Sequence, residues 1–283
     1  MKDPLDALDQ RQRSLLAAWL PDIAIEADMS WDLVGTVVLR AKAGDRLVVV
    51  KAAGPDDPHL LREIHAHREW TGPWTRTGRA PRLLHADPGA RLIVTEYLPG
   101  TLVRDTPAAA DPALYAQAGE LLRVFHDQAA VDDPDYEARM DAKALAWLDG
   151  THRIEPETTE QLRAMVRSWS PEPVTCVPTH GDWQTRNWLN DNGIVRVIDF
   201  GRTDLRPAIE DFARLAVQEF RWHPGTEDAF LTGYGTDPRR PGAWFRQRVR
   251  SAISTACWAY SVRAEDFEAQ GHRMIADVLA ETD

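Results

Sequence analysis

Apolar residues change their spacing along this chain near residue 100. Leu5, Leu8, Leu15, Leu16 and Trp19 recur at helical intervals up to Pro21, which predicts an amphipathic opening helix. Short β-branched runs follow. Ile23 to Ile25, Val34 to Lys42 and Leu47 to Lys51 read as strands, the last two joined by a turn at Gly44-Asp45. Pro58 to Thr71 reads as a helix ended by Gly72-Pro73. Pro81 to His85 and Arg91 to Glu96 read as two more strands around Asp87-Pro88-Gly89. After Gly100 helical spacing takes over. Asp111-Pro112 reads as a cap and first turn, with Tyr115, Ala118, Leu122 and Phe125 as the apolar stripe. Leu162, Met165, Val166 and Trp169 mark another helix, a further one starts at Pro207, and Trp244 to Ala264 reads as a long one. Phe267, Met274 and Val278 mark the last, behind an acidic group of Glu265, Asp266 and Glu268. The pattern is α+β, rich in sheet over the first third and in helix beyond it.

One short stretch breaks the helical part. Trp188-Leu189 and Ile194 to Ile198 flank Asn192-Gly193, a strong two-residue turn signal, and so predict a hairpin. The loop before it holds His180-Gly181-Asp182 and, five residues past Asp182, Asn187. The loop after it holds Asp199-Phe200-Gly201. A tight hairpin brings both loops to one end. Phosphoryl transfer needs that set: a carboxylate to orient and accept the proton of the attacking hydroxyl, and a carbonyl oxygen and second carboxylate for Mg²⁺. Asp182 takes the catalytic role, Asn187 and Asp199 the metal roles. Protein kinases carry His-Arg-Asp, Asn five residues on, then Asp-Phe-Gly; here Gly181 replaces the Arg.

With that departure, the paired motif resembles the aminoglycoside phosphotransferase family, kinase-like enzymes that phosphorylate small molecules with ATP. The resemblance implies a two-lobed protein-kinase-like fold. A small antiparallel sheet lobe for the nucleotide would span residues 1–97, and a mostly helical lobe for catalysis and acceptor binding residues 98–283. It implies ATP, with GTP as an alternative donor, and Mg²⁺.

Lys51 ends the apolar run Leu47-Val48-Val49-Val50, and the helix after it carries Leu60, Glu63 and Trp70 on one stripe. A carboxylate on a buried stripe needs a partner, which makes Lys51–Glu63 the expected pair and puts Glu69 on the other side. The family has such a Lys–Glu pair, its Lys holding the nucleotide phosphates. His65 and His67 lack the His-Glu-x-x-His spacing of a zinc protease and read as surface or half-buried packing. By resemblance, Val94 lines the adenine pocket, and the Thr95 carbonyl and Tyr97 N–H meet the adenine. Ser30, in the loop Asp28-Met29-Ser30-Trp31-Asp32, is either a phosphate ligand or a turn former.

The 283 residues carry a net charge of −11, which argues against a nucleic-acid surface and fits a cationic acceptor. Residues 127–160 hold ten acidic residues against three basic ones. They read either as a solvated face or as part of a site for ammonium groups. No run of eighteen apolar residues suggests a membrane span. Cys176 and Cys257 read as buried free thiols, and a reducing cytoplasm fits. Monomer and homodimer fit equally. The expected activity is transfer of a γ-phosphoryl group to a hydroxyl of a small cationic molecule, of the aminoglycoside type or a related antibiotic. The alternatives are a kinase of an amino alcohol, a sugar or another antibiotic class, and a nucleotide-binding pseudokinase. All of Lys51, Asp182, Asn187 and Asp199 being present argues against the last.

Overall fold

A computed structural model describes residues 4–31 and 35–282. Asp32, expected in the loop after the first strand, and Val34, expected to open the second, lie outside the described residues. The opening helix comes in two pieces. Pro4–Ala7 form a 3₁₀ turn, and helix α1 (Gln10–Trp19) restarts behind Asp9. The Asp9 carboxylate accepts from the Gln12 N–H at 2.8 Å while the Gln12 side chain accepts from the Asp9 N–H at 3.0 Å, a reciprocal cap.

Strands β1 (Ile23–Asp28), β2 (Val37–Ala43) and β3 (Arg46–Ala52) are followed by helix α2 (His59–Glu69), the short helix α3 (Gly72–Arg76), and strands β4 (Leu83–Asp87) and β5 (Leu92–Glu96). The sheet is antiparallel in the order β1-β2-β3-β5-β4. Gly72-Pro73, expected to stop α2, opens α3 instead. Proline lacks an N–H and has a fixed φ, which suit a first helical turn.

Alternation along the strands assigns two faces. Leu39, Ala41, Val48, Val50, Leu92 and Val94 pack with Leu8 and Leu16 on the α1 side. Ile93 packs with Leu60 and Ile64 on the α2 side. Lys51 pairs in register with Val38 and Ile93 and follows Val50, so it shares the α2 side.

The chain groups into two compact units. The first comprises Met1–Gln128, His180–Asp204 and His223–Gly235. Besides the sheet it holds helix α4 (Pro112–His126), capped by Asp111, whose stripe of Tyr115, Ala118, Leu122 and Phe125 is fully buried as expected. Helix Thr226–Tyr234 lies against α4 at backbone contact. A Cβ on Gly119 would sit 2.1 Å from the Phe230 carbonyl oxygen, and one on Gly233 would sit 1.9 Å from that of Ala116. Gly119→Ala must therefore push these helix backbones apart. It is expected to destabilise the protein by about 1–3 kcal/mol, the range for overpacking a core. Urea unfolding checks this; an unchanged midpoint would contradict the close approach.

The second unit comprises Ala129–Thr179, Leu205–Trp222 and Thr236–Asp283. Helices Tyr136–Asp149, Pro156–Arg167, Pro241–Ser261 and Glu265–Leu279 surround a core that includes Leu148, Leu162, Val249, Ile253 and Met274. Glu265, Asp266 and Glu268, expected ahead of the last helix, form its first turn, where carboxylates complement the helix dipole. Cys176 and Cys257 are buried and outside any disulfide. Among the described residues no helix is long and apolar enough to cross a membrane.

Candidate active site

The hairpin forms as its turn dictates. Trp188–Asp191 pairs with Ile194–Val197, and Asn192 (φ +51°) and Gly193 (φ +84°) both occupy the left-handed region that a two-residue turn of this kind demands. The flanking loops are tied side by side. The His180 Nε2–H donates to the Ile198 carbonyl at 3.1 Å, the Ile198 N–H donates to the Asn187 carbonyl at 3.0 Å, and the Asp182 N–H donates to His180 Nδ1 at 3.3 Å. With Nδ1 accepting from the Asp182 N–H, Nε2 is the nitrogen that donates to Ile198. Gly181 has φ +76°, a conformation that costs an Arg energy and glycine nothing, which accounts for the departure from the protein-kinase triplet. Asp199 takes φ +66° without being glycine. Such strain costs on the order of 1–3 kcal/mol and persists where neighbours hold it.

Asp182 is buried and clamped. Its Oδ1 accepts from Gln184 Nε2 at 2.6 Å, and its Oδ2 accepts from Arg186 Nη2 at 2.6 Å and Asn187 Nδ2 at 3.0 Å. Asn187 Nδ2 also donates to the Asp182 carbonyl at 2.8 Å. Lys51 Nζ donates to both Glu63 oxygens at 2.8 and 3.0 Å and to Asp199 Oδ1 at 3.1 Å. Glu63 is indeed the partner on the buried stripe, and Glu69 is exposed. Burial works against the Lys51 ammonium, but the Asp199 and Glu63 carboxylates outweigh it and hold its pKa above the usual lysine value. The Lys51 charge in turn holds the Asp199 carboxyl below the usual carboxylate range. The structure thus brings Lys51, Glu63, Asp182, Asn187 and Asp199 together within the first unit.

This donor set fits a hard divalent cation. With its amide nitrogen committed to Asp182, Asn187 has its side-chain oxygen Oδ1 left to offer. The Asp199 side chain is 49% exposed with one oxygen on Lys51. Both donors are oxygens, as Mg²⁺ prefers. Among the described residues no group of three or more His, Cys, Asp and Glu could hold a metal, so these two donors would supply only part of an ion's shell, the rest coming from water or phosphate oxygens.

Other expected positions fall differently. Val94 packs in the α1-side core, on the face away from Lys51. The expectation missed the strand parity by one; Ile93 and, two residues on, Thr95 share the Lys51 face. The Tyr97 N–H donates to the Leu47 carbonyl at 3.1 Å, and Thr95 pairs with Val49 in the same ladder, so the sheet competes for the groups expected to meet an adenine. Ser30 is a turn former here. Its N–H donates to Asp28 Oδ1 and its hydroxyl accepts from the Val38 N–H, both at 2.9 Å. The Ser30 hydroxyl and N–H together hold the Asp28 carboxyl below the usual carboxylate range.

His67 is buried, deeper than its expected packing place, with neither ring nitrogen hydrogen-bonded, and meets the Phe200 ring edge-on at 5.1 Å. Burial, aided by the nearby Lys51 charge, pushes its pKa down to about 3. The folded chain leaves His67 neutral while the unfolded chain protonates it near 6.5, so its contribution to stability is lost as the pH falls from about 6.5 toward 3. His67→Leu should abolish that share. Between pH 7 and pH 5 the variant is expected to gain about 2 kcal/mol relative to wild type, at roughly 1.4 kcal/mol per pH unit. Urea titrations at the two pH values test it; parallel losses would show that His67 does not stay neutral.

The acidic run is largely neutralised. Arg250 donates to Glu137 at 2.9 Å and to Asp141 at 2.8 Å within the second unit, Arg139 holds Asp133 at 2.6 Å, and Arg163 holds Asp149 and Glu160. In the first unit Arg123 holds Asp127 at 2.7 Å. Most of these carboxylates already have cations.

Gln184 and Arg186 were not anticipated. The signal available was the i, i+4 spacing of Asp182 and Arg186.

The model of a family described as a phosphotransferase enzyme family matches residues 28–244, well over half of the chain. A search among curated protein sequences finds no match. Among solved structures, the chain is similar to a thermostable mutant of aminoglycoside phosphotransferase APH(4)-Ia in ternary complex with ADP and hygromycin B, at TM-score 0.70 and 13% identity, covering 96% of this chain and 98% of that one. It is also similar to choline kinase LicA from Streptococcus pneumoniae, at TM-score 0.67 and 13% identity, covering 96% and 100%. A choline/ethanolamine kinase family protein from Mesorhizobium loti matches at TM-score 0.59 and 19% identity, covering 94% and 90%. At these identities the structural likeness establishes the fold.

Proposed function

Since the chain belongs to the phosphotransferase enzyme family and is a small-molecule kinase of kinase-like α+β fold, we propose that it moves the γ-phosphoryl group of ATP to a hydroxyl of a small cationic acceptor. The observation that carries this reading is the pairing of Lys51 with both Glu63 and Asp199 beside a buried, clamped Asp182. Residues through Tyr97 would form the nucleotide-binding lobe, and those from Leu98 the catalytic and acceptor lobe. Lys51 would bind phosphate oxygens. Glu63 would orient Lys51. Asn187 and Asp199 would hold Mg²⁺, which when bound neutralises charge on the phosphates. Asp182 would orient the acceptor hydroxyl and take its proton. Little covalent work falls to the protein; it positions and neutralises. The nucleotide complexes of the APH(4)-Ia relative support ATP as donor.

Two things support a cationic acceptor: the net charge of −11, and the hygromycin B and choline named for structural relatives. The arginine partners of Asp133, Glu137, Asp141 and Asp149 take those carboxylates out of consideration as its ligands. An antibiotic of the aminoglycoside type and an amino alcohol are the two acceptor classes to separate. The test is mass spectrometry of aminoglycosides, choline, ethanolamine and neutral sugars incubated with the protein, ATP and Mg²⁺. A product heavier by one phosphoryl group on an amine-bearing acceptor is expected. Phosphorylation of neutral sugars alone would overturn the cationic assignment. Nucleotide binding with no product from any acceptor would leave the pseudokinase reading standing.

A further inference from the structure

The clamp on Asp182 includes a full cation. Arg186 donates Nη2 to Asp182 Oδ2 at 2.6 Å, and its guanidinium carbon lies 5.8 Å from the centroid of the Trp31 ring. The Arg186 side chain is 24% exposed against 3% for Asp182, so Arg186 forms the outward side of the pair. Trp31 is itself 45% exposed and sits in the loop that carries Ser30. The Asp182–Arg186 spacing places both groups on the same catalytic loop.

Charge makes this arrangement informative. The site gathers three carboxylates, Glu63, Asp182 and Asp199, and the Lys51 ammonium is already shared between two of them. A triphosphate adds charge of the same sign. At the Asp182 end, Arg186 supplies the cation. A guanidinium also has several donors in a planar fork, so it can bridge a carboxylate and a phosphoryl oxygen or pass from one to the other.

We propose that Arg186 is a further catalytic residue, which neutralises the transferring phosphoryl group while its guanidinium faces the Trp31 ring. The proposal rests on the phosphotransferase reading above. In the step, the acceptor oxygen bonds to the γ-phosphorus, the bond to the β,γ-bridging oxygen breaks, and ADP leaves with that electron pair. The hydroxyl proton passes to Asp182. Arg186 neither gains nor loses a proton. It shifts hydrogen bonds from Asp182 Oδ2 toward the phosphoryl oxygens, and that shift opens Oδ2 to the incoming proton.

The test compares ADP with AMP-PNP, which differ by the γ-phosphoryl group, on the full-length protein with Mg²⁺ by calorimetry. ATP hydrolysis without added acceptor is the rate readout. Arg186→Gln should bind ADP within about twofold of wild type and lose roughly tenfold or more in AMP-PNP affinity, as a charged hydrogen bond implies. Its rate should fall about 10²- to 10³-fold, the loss for one transition-state donor. Arg186→Lys, which keeps the charge without the fork, should recover part of both; it carries the test if the Gln variant does not fold. A merely structural Arg186 would leave the AMP-PNP to ADP affinity ratio unchanged, and that result overturns the proposal. Wild type binding neither nucleotide would instead sink the phosphotransferase reading, and this inference with it.

Discussion

Asp182→Asn is expected to slow phosphoryl transfer by about 10²- to 10⁴-fold, the usual worth of a positioned general base. ADP affinity should stay close to that of wild type. The substitution keeps the shape and removes the proton acceptor. It also turns one carboxylate oxygen into an amide nitrogen facing the donors of Gln184, Arg186 or Asn187. A donor set against a donor costs on the order of 1–3 kcal/mol, so the variant should be less stable as well as slower. Steady-state rates, ADP titration and urea unfolding on the same preparation separate the two effects. A variant that is destabilised but turns over normally would assign Asp182 to the fold alone.

Lys51→Met is expected to damage stability and nucleotide binding together, and the two can be pulled apart. The Glu63 side chain is 6% exposed and receives two hydrogen bonds from Lys51. Removing one partner of a buried ion pair costs roughly 3–5 kcal/mol, because the other charge stays behind in the interior. Replacing both partners by apolar residues is often close to neutral. Lys51→Met should therefore unfold at markedly lower urea, and Lys51→Met/Glu63→Leu should recover most of the loss. Neither should recover ADP affinity, which is expected to fall roughly 10- to 100-fold with the charged hydrogen bonds to phosphate. If the double variant binds ADP as wild type does, Lys51 serves the fold and not the nucleotide.

What could be read from sequence was what local rules govern. The Asn192-Gly193 turn follows from φ preferences of two adjacent residues, and the hairpin followed from it. The Lys51–Glu63 pair followed from helix periodicity, since a carboxylate on the stripe of Leu60 has one side to face. What failed depended on parity or distant partners. Val94 and Lys51 sit on neighbouring strands, and a shift of one residue moves a side chain through the sheet. The acidic stretch could be read two ways because Arg250, which neutralises Glu137 and Asp141, lies more than a hundred residues away. The contact of Gly119 with the Phe230 backbone is equally remote in sequence. Arg186 stands four residues past Asp182, but in a loop that spacing alone does not bring two side chains together.

The central claim is that Lys51, Asp182, Asn187 and Asp199 act on one Mg²⁺-bearing triphosphate. A crystal structure of the full chain with AMP-PNP and Mg²⁺ tests it most directly. The account predicts an ion about 2.0–2.1 Å from an Asp199 carboxylate oxygen and the Asn187 side-chain oxygen Oδ1, with Lys51 on a phosphate oxygen. A nucleotide bound elsewhere, or an ion held without Asp199 and Asn187, would contradict it.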